Sequence, residues 1–239
     1  MRFMIWIVLF LVTSLSLPAY ASLNIAVASN FKITAQQIAE QFTQETNIAV
    51  TISSASTATL YQQILHGAPF DIYLSADQKH VNLLKEKHKV GDNEAFIYAQ
   101  GRLAFWQPDA LQTPTAQDFI DYTGRLAIAN PKFAPYGIAA QQALGFADKW
   151  EAANLIQGNN INQTFQFVES KNVPAGLVSY AALIQKNQAN YFLIPVSWHQ
   201  ALIQSGIIVT TKNQQQAKQF VNFLLSKQAQ QQIQKQGYQ

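Results

Sequence analysis

The sequence predicts an α/β fold, because short apolar strand patterns alternate with helical patterns along the chain. In the first such unit, a strand pattern that begins near Leu23 ends at Ser29 and Asn30, and Ile33 and Ile38 follow at helical spacing. Four turns of this kind, each rich in hydroxyl, amide or backbone N–H donors, lie at the ends of predicted strands. Because ligands of α/β proteins gather at the carboxyl ends of strands, these turns predict a common binding site.

The first 21 residues have the pattern of a secretory signal peptide. Residues 4–17 are almost wholly apolar, but this run is shorter than the roughly 20 residues that a membrane-spanning helix needs. Residues 19–21, Ala-Tyr-Ala, match a signal-peptidase site, so we expect cleavage after Ala21 and a mature chain that begins at Ser22. An uncleaved N-terminal anchor is the weaker alternative.

The overall composition excludes several classes of protein. The chain has no cysteine, which argues against a lipid-anchored lipoprotein and against a disulfide scaffold. Its 16 Lys and Arg face 13 Asp and Glu, and these charges form no basic stripe with interleaved aromatic residues, so we expect no nucleic-acid partner. After the first 21 residues no apolar run approaches the length of a membrane span, and we expect a soluble mature protein.

Three further donor-rich turns follow the first one. Residues 53–59 are all Ser, Thr or Ala, residues 130–137 include Tyr136 at the predicted start of a helix, and residues 159–163 are rich in Asn. Taken singly, the first two turns are explained by helix capping, since Ser, Thr and Asn side chains accept the free N–H groups of a helix start. The recurrence of such turns at strand ends favours an anion site, because helix N-termini attract negative charge.

The last part of the chain predicts a strand, a helix and a glutamine-rich tail. The strand is expected at residues 207–210, and the following helix has Leu224 and Leu225 on its apolar face. Residues 228–236 are expected to form a solvated helical end that packs only lightly, with Ile233 as its main apolar anchor.

These residues resemble the periplasmic molybdate-binding proteins that serve ABC importers, a group of type II periplasmic binding proteins. The resemblance covers nearly all of the chain after residue 21. Its most specific part is the block with Gly-Ala-Pro-Phe-Asp followed by Leu-Ser-Ala-Asp, residues 67–77. The matching segments are residues 26–31, 53–61, 67–77, 130–137, 160–163, 174–178 and 220–238.

The resemblance implies an architecture and a function. It implies two α/β lobes joined by two crossover strands, with residues 22–100 and 196–239 in lobe I, residues 101–195 in lobe II and the ligand cleft between them. The protein would be a monomeric periplasmic binding protein and not an enzyme. Its ligand would be molybdate or tungstate, bound without a cofactor or a metal ion, and its partner would be the membrane permease of an ABC importer.

The resemblance also implies which residues bind the oxyanion. One lobe would offer the hydroxyls of Ser29 and Thr57, with Asn30 beside them. The opposite lobe would offer Tyr136 and the backbone N–H of Ile161. A site of this kind binds a dianion through dipoles and charge-assisted hydrogen bonds, each worth roughly 1.5–3 kcal/mol.

Two positions depart from part of this family. Thr57 stands where some members have a second serine, and Ser56 remains the alternative hydroxyl donor in that turn. Other members bind through a tyrosine at the place of Ser179 and have a small residue at the place of Tyr136. The chain therefore resembles the branch in which the tyrosine comes from an Ala-Pro-Tyr-Gly turn.

Two other classes of function stay open at this point. The first is a binding protein of the same architecture for sulfate, phosphate or a metal ion, although the histidines are scattered and each is expected at the surface. The second is a secreted hydrolase, but the sequence contains neither a Gly-x-Ser-x-Gly nor a His-Glu-x-x-His motif. The four histidines are His66, His80, His88 and His199.

Overall fold

The computed structural model describes residues 22–87, 89–91 and 93–239, which form two five-stranded sheets with helices packed on them. The predicted signal peptide lies outside these residues. No helix within them is long and apolar enough to cross a membrane. The strands are β1 (Ser22–Ala28), β2 (Ala49–Ala55), β3 (Ile72–Ser75), β4 (Phe96–Gly101), β5 (Leu103–Trp106), β6 (Leu126–Ala129), β7 (Leu155–Gly158), β8 (Ala175–Ser179), β9 (Tyr191–Leu193) and β10 (Leu202–Ile208). The helices are α1 (Lys32–Thr46), α2 (Thr57–Leu65), α3 (Lys79–Glu86), α4 (Ala116–Asp121), α5 (Pro135–Phe146), α6 (Ile161–Glu169), α7 (Tyr180–Gln185), α8 (Gln214–Leu224) and α9 (Lys227–Lys235).

The first sheet has the strand order β2-β1-β3-β10-β4. β1 pairs in parallel with β2 and β3, and β10 pairs antiparallel with β3 and β4. Side chains of β1 alternate between two cores, because successive residues of a strand point to opposite faces. Leu23, Ile25 and Val27 pack with residues of α1 and α8, whereas Ala26 packs with residues of α2 and α3.

The second sheet repeats this plan with the strand order β7-β6-β8-β5-β9. β6 pairs in parallel with β7 and β8, and β5 pairs antiparallel with β8 and β9. On one face Ile128 packs with residues of α5, and on the other face Ala127 packs with residues of α6. Trp106 stacks on Phe165 with ring centroids 4.8 Å apart. Because helices cover both faces of these parallel strands, a ligand can approach β6 and β8 only at the ends of the strands, and the carboxyl ends are the usual site.

The chain passes twice between the sheets. β4 ends at Gly101 in the first sheet, and β5 begins at Leu103 in the second, so Arg102 alone separates them. The return connection runs from the end of β9, through a 3-10 turn at Val196–Trp198, to β10 in the first sheet. Two α/β sheets with two crossovers agree with the predicted fold.

The C-terminal region differs from the sequence prediction in its strand and in its helical break. The last strand covers Leu202–Ile208 and not residues 207–210, because a Gln, a Ser and a Gly interrupt its apolar pattern. The helix is also broken: α8 ends at Leu224, and Ser226 caps α9 by accepting a hydrogen bond from the N–H of Ala229. Leu225 falls in this break and is 40% exposed, so its predicted place on the apolar face is wrong.

The chain that follows the glutamine-rich tail packs against the first sheet. Ile233 is buried as expected, but Tyr238 is buried too and packs edge-to-face on Phe31 with ring centroids 5.2 Å apart. The Gln239 backbone exchanges two hydrogen bonds with Gln100, at 2.6 and 2.9 Å. The tail thus lies against the end of β4, next to the first crossover.

Candidate functional site

The turn after β1 leaves the side chains of Ser29 and Asn30 free of the helix that follows. Ser29–Phe31 form a 3-10 turn that continues into α1, and no side chain accepts a hydrogen bond from the first turn of either helix. The capping explanation is therefore wrong for these two residues. Ser29 is buried, and its hydroxyl forms no hydrogen bond with the rest of the described chain.

Asn30 belongs to a buried polar network that the sequence did not indicate. Its Nδ2 donates to Gln204 Oε1 at 2.9 Å, and the Tyr238 hydroxyl donates to its backbone carbonyl at 2.7 Å. Tyr98 also donates to Gln204 Oε1, at 3.0 Å. The one available signal was Gln204 itself, a polar residue in a strand with several apolar residues; a buried polar side chain needs partners, but the sequence does not identify them.

The start of α2 separates the roles of two neighbouring hydroxyls. Ser56 is the N-cap: its Oγ accepts from the N–H of Thr59 at 3.3 Å and lies 2.7 Å from Thr59 Oγ1. Thr57 Oγ1 accepts from the N–H of Ala76 at 3.1 Å, and Thr57 is buried. This contact occupies a lone pair of Thr57 and leaves its hydroxyl proton to be donated.

Tyr136 begins α5 right after Pro135 and has a buried hydroxyl without a partner among the described residues. Burial raises the pKa of Tyr136 well above its ordinary value, the Tyr238 hydroxyl raises it further, and the Asn30 side chain offsets part of this. Tyr136 is therefore a neutral hydroxyl near Asn30. Ser179, at the end of β8, likewise has a buried hydroxyl without a partner in that part of the chain.

The start of α6 presents backbone donors. Asn160 is the N-cap and accepts from the N–H of Gln163 at 3.0 Å, and the Gln163 side chain accepts from the N–H of Asn159 at 2.6 Å. Ile161 is the first helical residue, so its N–H has no acceptor within the helix. The Ile161 side chain is buried in the core under α5, which fixes the position of this N–H group.

These elements meet between the two sheets. The N–H of Ala58, in the first turn of α2, donates to the carbonyl of Phe133, just before α5, at 3.1 Å. A cavity of about 320 Å³ has Ser29 and Lys32 on one side and Asn160 and Asn162 on the other. The structure therefore brings Ser29 to the start of α6, Asn30 to Tyr136 and α2 to the turn before α5. Thr57, Tyr136 and Ile161 do not line this cavity, and each is at most 3% exposed.

The side chains that line this cavity are one lysine, hydroxyls and amides. The lining of the cavity contains Lys32 and no carboxylate. Across the described residues, no three His, Cys, Asp or Glu side chains are grouped so that they could hold a metal ion. His80 Nδ1 lies 2.8 Å from Asp77, whose carboxylate also accepts from the N–H of His80 in the first turn of α3. His199 is buried, and its predicted surface position is wrong because it lies in the second crossover.

Comparison with known proteins places the chain in a family. A family model described as bacterial extracellular solute-binding protein matches residues 23–239. The molybdate-binding protein of Rhodobacter capsulatus is 34% identical over 95% of this chain and 92% of its own length. That of Azotobacter vinelandii is 31% identical over 91% and 90%.

A solved structure agrees with these sequence matches. The periplasmic molybdate-binding protein of Azotobacter vinelandii superimposes with a TM-score of 0.86 and 28% sequence identity, over 91% of this chain and 98% of that one. The match includes both sheets and both crossovers, because it extends over nearly all of each chain. The chain belongs to the bacterial extracellular solute-binding proteins, the family that includes these molybdate-binding proteins.

Proposed function

We infer that this chain captures molybdate or tungstate and delivers it to the membrane permease of an ABC importer. Two relatives that match it over at least nine-tenths of its length are named molybdate-binding proteins. The observation that carries the inference is the buried Tyr136 hydroxyl without a protein partner in the described chain. Leaving such a group unsatisfied costs about 1–3 kcal/mol, and an oxyanion acceptor would offset this cost.

The proposed ligand-binding residues are Ser29, Asn30, Thr57, Tyr136 and Ile161. Ser29 and Thr57 would donate their hydroxyl protons, because neither proton has an acceptor elsewhere in the described chain. Tyr136 would donate its hydroxyl proton, and Ile161 its backbone N–H, from the other side of the cleft. The side-chain amide of Asn30 would lie beside the Tyr136 hydroxyl in the site.

Thr57 is the proposed donor of its turn, and Ser56 is not. The Ser56 hydroxyl serves α2 as its cap and lies against Thr59 Oγ1. Thr57 Oγ1 is held by the N–H of Ala76, an arrangement that orients the hydroxyl and leaves its proton free. The extra methyl group of threonine, relative to serine, packs at a buried position and does not remove the donor.

A cleft of donors favours a fully deprotonated dianion. Molybdate and tungstate at neutral pH offer only acceptor oxygens, whereas phosphate is partly protonated and its O–H would need an acceptor. Sites that leave a polar ligand group unpaired reject that ligand strongly. We therefore expect phosphate to be excluded. Discrimination against sulfate would depend on the size of the ion.

Ligand binding would also close the cleft. Donors from both sides can reach one small ion only when the sheets are close, so the ion would stabilise the closed form. The bond from Ala58 to Phe133 joins the two sides without a ligand, and it would add to the same closed state. The permease would recognise this form and open it to release the ion.

Other functions have weaker support. A metal-binding role lacks a ligand cluster in the described residues, and the relatives named above are solute-binding proteins and not enzymes. Another oxyanion in the same fold, such as sulfate, is the main alternative.

The remaining parts of the proposal concern the cellular location of the protein and the bounds of its two lobes. We propose that the chain is cleaved after Ala21 and works in the periplasm as a monomer, without a nucleic-acid partner. Lobe I would comprise residues 22–100 and 196–239, and lobe II residues 101–195. The strands of the two sheets support this division, since β4 ends and β5 begins close to residue 101.

A panel of oxyanions tests the proposed function. The purified protein would be heated with molybdate, tungstate, sulfate, phosphate or no addition. A ligand that binds only the folded state stabilises it by RT ln(1 + [L]/Kd), so molybdate and tungstate should raise the melting temperature most. Native mass spectrometry would identify a retained ion. A protein that sulfate or phosphate stabilises as much as molybdate would contradict the proposal, and one that no oxyanion stabilises would indicate another class of ligand or an enzyme.

A further inference from the structure

Gln204 is a fully buried amide at an irregular point of β10. The pairing of β10 with β4 changes register between Gln204 and Ser205, as at a β-bulge. Bulges re-aim side chains, and they are common beside functional sites. Gln204 contacts Asn30 of the proposed oxyanion site, although nothing in its local sequence marks it as a binding residue.

The carbonyl end of the Gln204 amide accepts from Asn30 Nδ2 and shares the single Tyr98 hydroxyl proton with the Ser75 carbonyl. Asn30 Nδ2 and the Tyr98 hydroxyl lie 2.9 and 3.0 Å from Gln204 Oε1. The Tyr98 hydroxyl also lies 3.0 Å from the Ser75 carbonyl, which anchors it to the end of β3. Rotating the Gln204 amide by half a turn would set its NH2 group against the NH2 group of Asn30. The carbonyl end of Gln204 therefore stays on Asn30 and Tyr98.

The nitrogen end of the same amide lies near the Tyr136 hydroxyl, a second buried polar group that has no hydrogen-bond partner among the described residues. Gln204 Nε2 is buried without a partner in the described chain, and so is the Tyr136 hydroxyl. Both groups adjoin Gly101: a Cβ at that position would clash with the Tyr136 hydroxyl and would lie 3.0 Å from Gln204 Nε2. The missing side chain of Gly101 thus leaves the space in which these two groups approach each other.

We propose that Gln204 is a positioning residue of the oxyanion site and acts through Tyr136. This structure does not form a hydrogen bond between the two groups; in the ligand-bound site Gln204 Nε2 would donate to the oxygen of the Tyr136 hydroxyl, so that the hydroxyl proton is directed at the bound ion. A hydroxyl has one proton, and an oxygen that already accepts an N–H is a better donor because hydrogen bonds in a chain polarise one another. Gln204 also holds the Asn30 amide, so one residue orients two ligand groups. This role rests on the proposed function, because it requires an oxyanion beside Tyr136.

The arrangement has a consequence for ligand choice. When Gln204 donates to Tyr136, the Tyr136 hydroxyl proton has no acceptor except the ligand, so the hydroxyl is set to donate to it. A protonated ligand oxygen at this point would place two donors against each other. Gln204 therefore favours an ion whose oxygens are all deprotonated, and it enforces this preference without touching the ion.

A double-mutant cycle between Gln204 and Tyr136 tests the proposal. The variants Gln204→Met, Tyr136→Phe and their combination would be titrated with molybdate by calorimetry at neutral pH. We expect Gln204→Met to weaken binding roughly tenfold in the natural background and less than about threefold in the Tyr136→Phe background, since contacting residues are energetically coupled. The loss of affinity that remains in the Tyr136→Phe background would come from the Asn30 amide, which Gln204 also holds.

A neighbouring residue supplies the control. Ser205→Ala removes a buried hydroxyl that donates to the carbonyl of Phe96 at 3.0 Å, on the same strand. This variant should lower the melting temperature and leave the molybdate affinity unchanged. If Gln204 had only a structural role, Gln204→Met would also lower the melting temperature without changing the molybdate affinity. It would then show no energetic coupling to Tyr136.

The outcomes are distinct. Wild-type affinity of the Gln204→Met variant would overturn the role of Gln204, and so would equal losses of affinity in the two backgrounds. In both cases the proposed function would stand as long as the wild-type protein binds molybdate. Failure of the wild type to bind molybdate would overturn both. If Gln204→Met does not fold, Gln204→Glu replaces it, because it keeps the carbonyl oxygen that Asn30 and Tyr98 contact. Wild-type affinity of Gln204→Glu at pH 8 would also overturn the proposal.

Discussion

The starts of α1 and α2 look alike in sequence, but their hydroxyl side chains have different hydrogen-bonding roles. At α2, Ser56 caps the helix by accepting from the N–H of Thr59. At α1, no side chain caps the helix, and the Ser29 hydroxyl is left without a partner in the described chain. Capping groups stabilise the fold, and groups that a helix start leaves unused are available to a ligand.

This comparison separates stability from binding at neighbouring residues. Ser29 should matter for the ligand alone, and Ser56 for the fold alone. Thr57 should matter for both, because its oxygen accepts from the buried N–H of Ala76 while its proton remains free. Four substitutions test this assignment.

Replacing Thr57 by Val should have the largest combined effect. Losing a hydrogen bond to a charged ligand costs about 1.5–3 kcal/mol, which weakens binding roughly 10- to 100-fold. The Ala76 N–H would also lose its acceptor, at a further cost of about 1–3 kcal/mol in the free energy of unfolding. Calorimetry and urea denaturation measure the two effects. Thr57→Ser keeps the hydroxyl and is the matched control, which should bind nearly as the wild type does.

Replacing Ser29 by Ala should weaken molybdate binding by a similar factor without destabilising the protein. The hydroxyl caps no helix, so its loss should change the free energy of unfolding by less than about 0.5 kcal/mol. The same two measurements apply. A variant that binds normally but unfolds more easily would mean that Ser29 is structural after all.

Replacing Ser56 by Ala should give the opposite result. The loss of an N-cap destabilises a protein by about 0.5–2 kcal/mol, which urea denaturation would detect. The affinity should stay within about twofold of the wild type, since the capping hydroxyl is not offered to the ligand. If Ser56→Ala weakens binding and Thr57→Val does not, the donor of this turn is Ser56.

Replacing Ile161 by Val should have the smallest effect on binding. The proposed contact is the backbone N–H, which the substitution keeps. The loss of one buried methylene should cost about 0.5–1.5 kcal/mol of stability. Proline at this position would remove the N–H, and comparing the two variants isolates it, because proline is tolerated at the first position of a helix. Equal affinities of the two variants would exclude the N–H as a ligand contact.

The fold was predictable from the sequence where the signal lies within one short stretch of chain. Strands such as β1 and helices such as α1 follow from the spacing of apolar residues within a few turns of chain. The position of Leu225 was wrong because the capping of α9 by Ser226 interrupted that spacing.

The candidate site was predictable only in part. Turns rich in donors indicated an anion site, and the resemblance supplied the five residues, but the partners of those residues come from far along the chain. Asn30 and Tyr238 are 208 residues apart in sequence, and Asn30 and Gln204 are 174 apart. No local pattern marks a glutamine or a tyrosine for such a contact, because the three-dimensional fold alone brings them together.

The most direct test of the account is a calorimetric comparison of molybdate, sulfate and phosphate with the wild-type protein at neutral pH. Because all the proposed ligand contacts are donors, the site should bind molybdate far more tightly than phosphate, whose proton would find no partner among them. Sulfate, which is also fully deprotonated, should bind more weakly than molybdate because it is smaller. Phosphate affinity equal to or above that of molybdate would contradict the account.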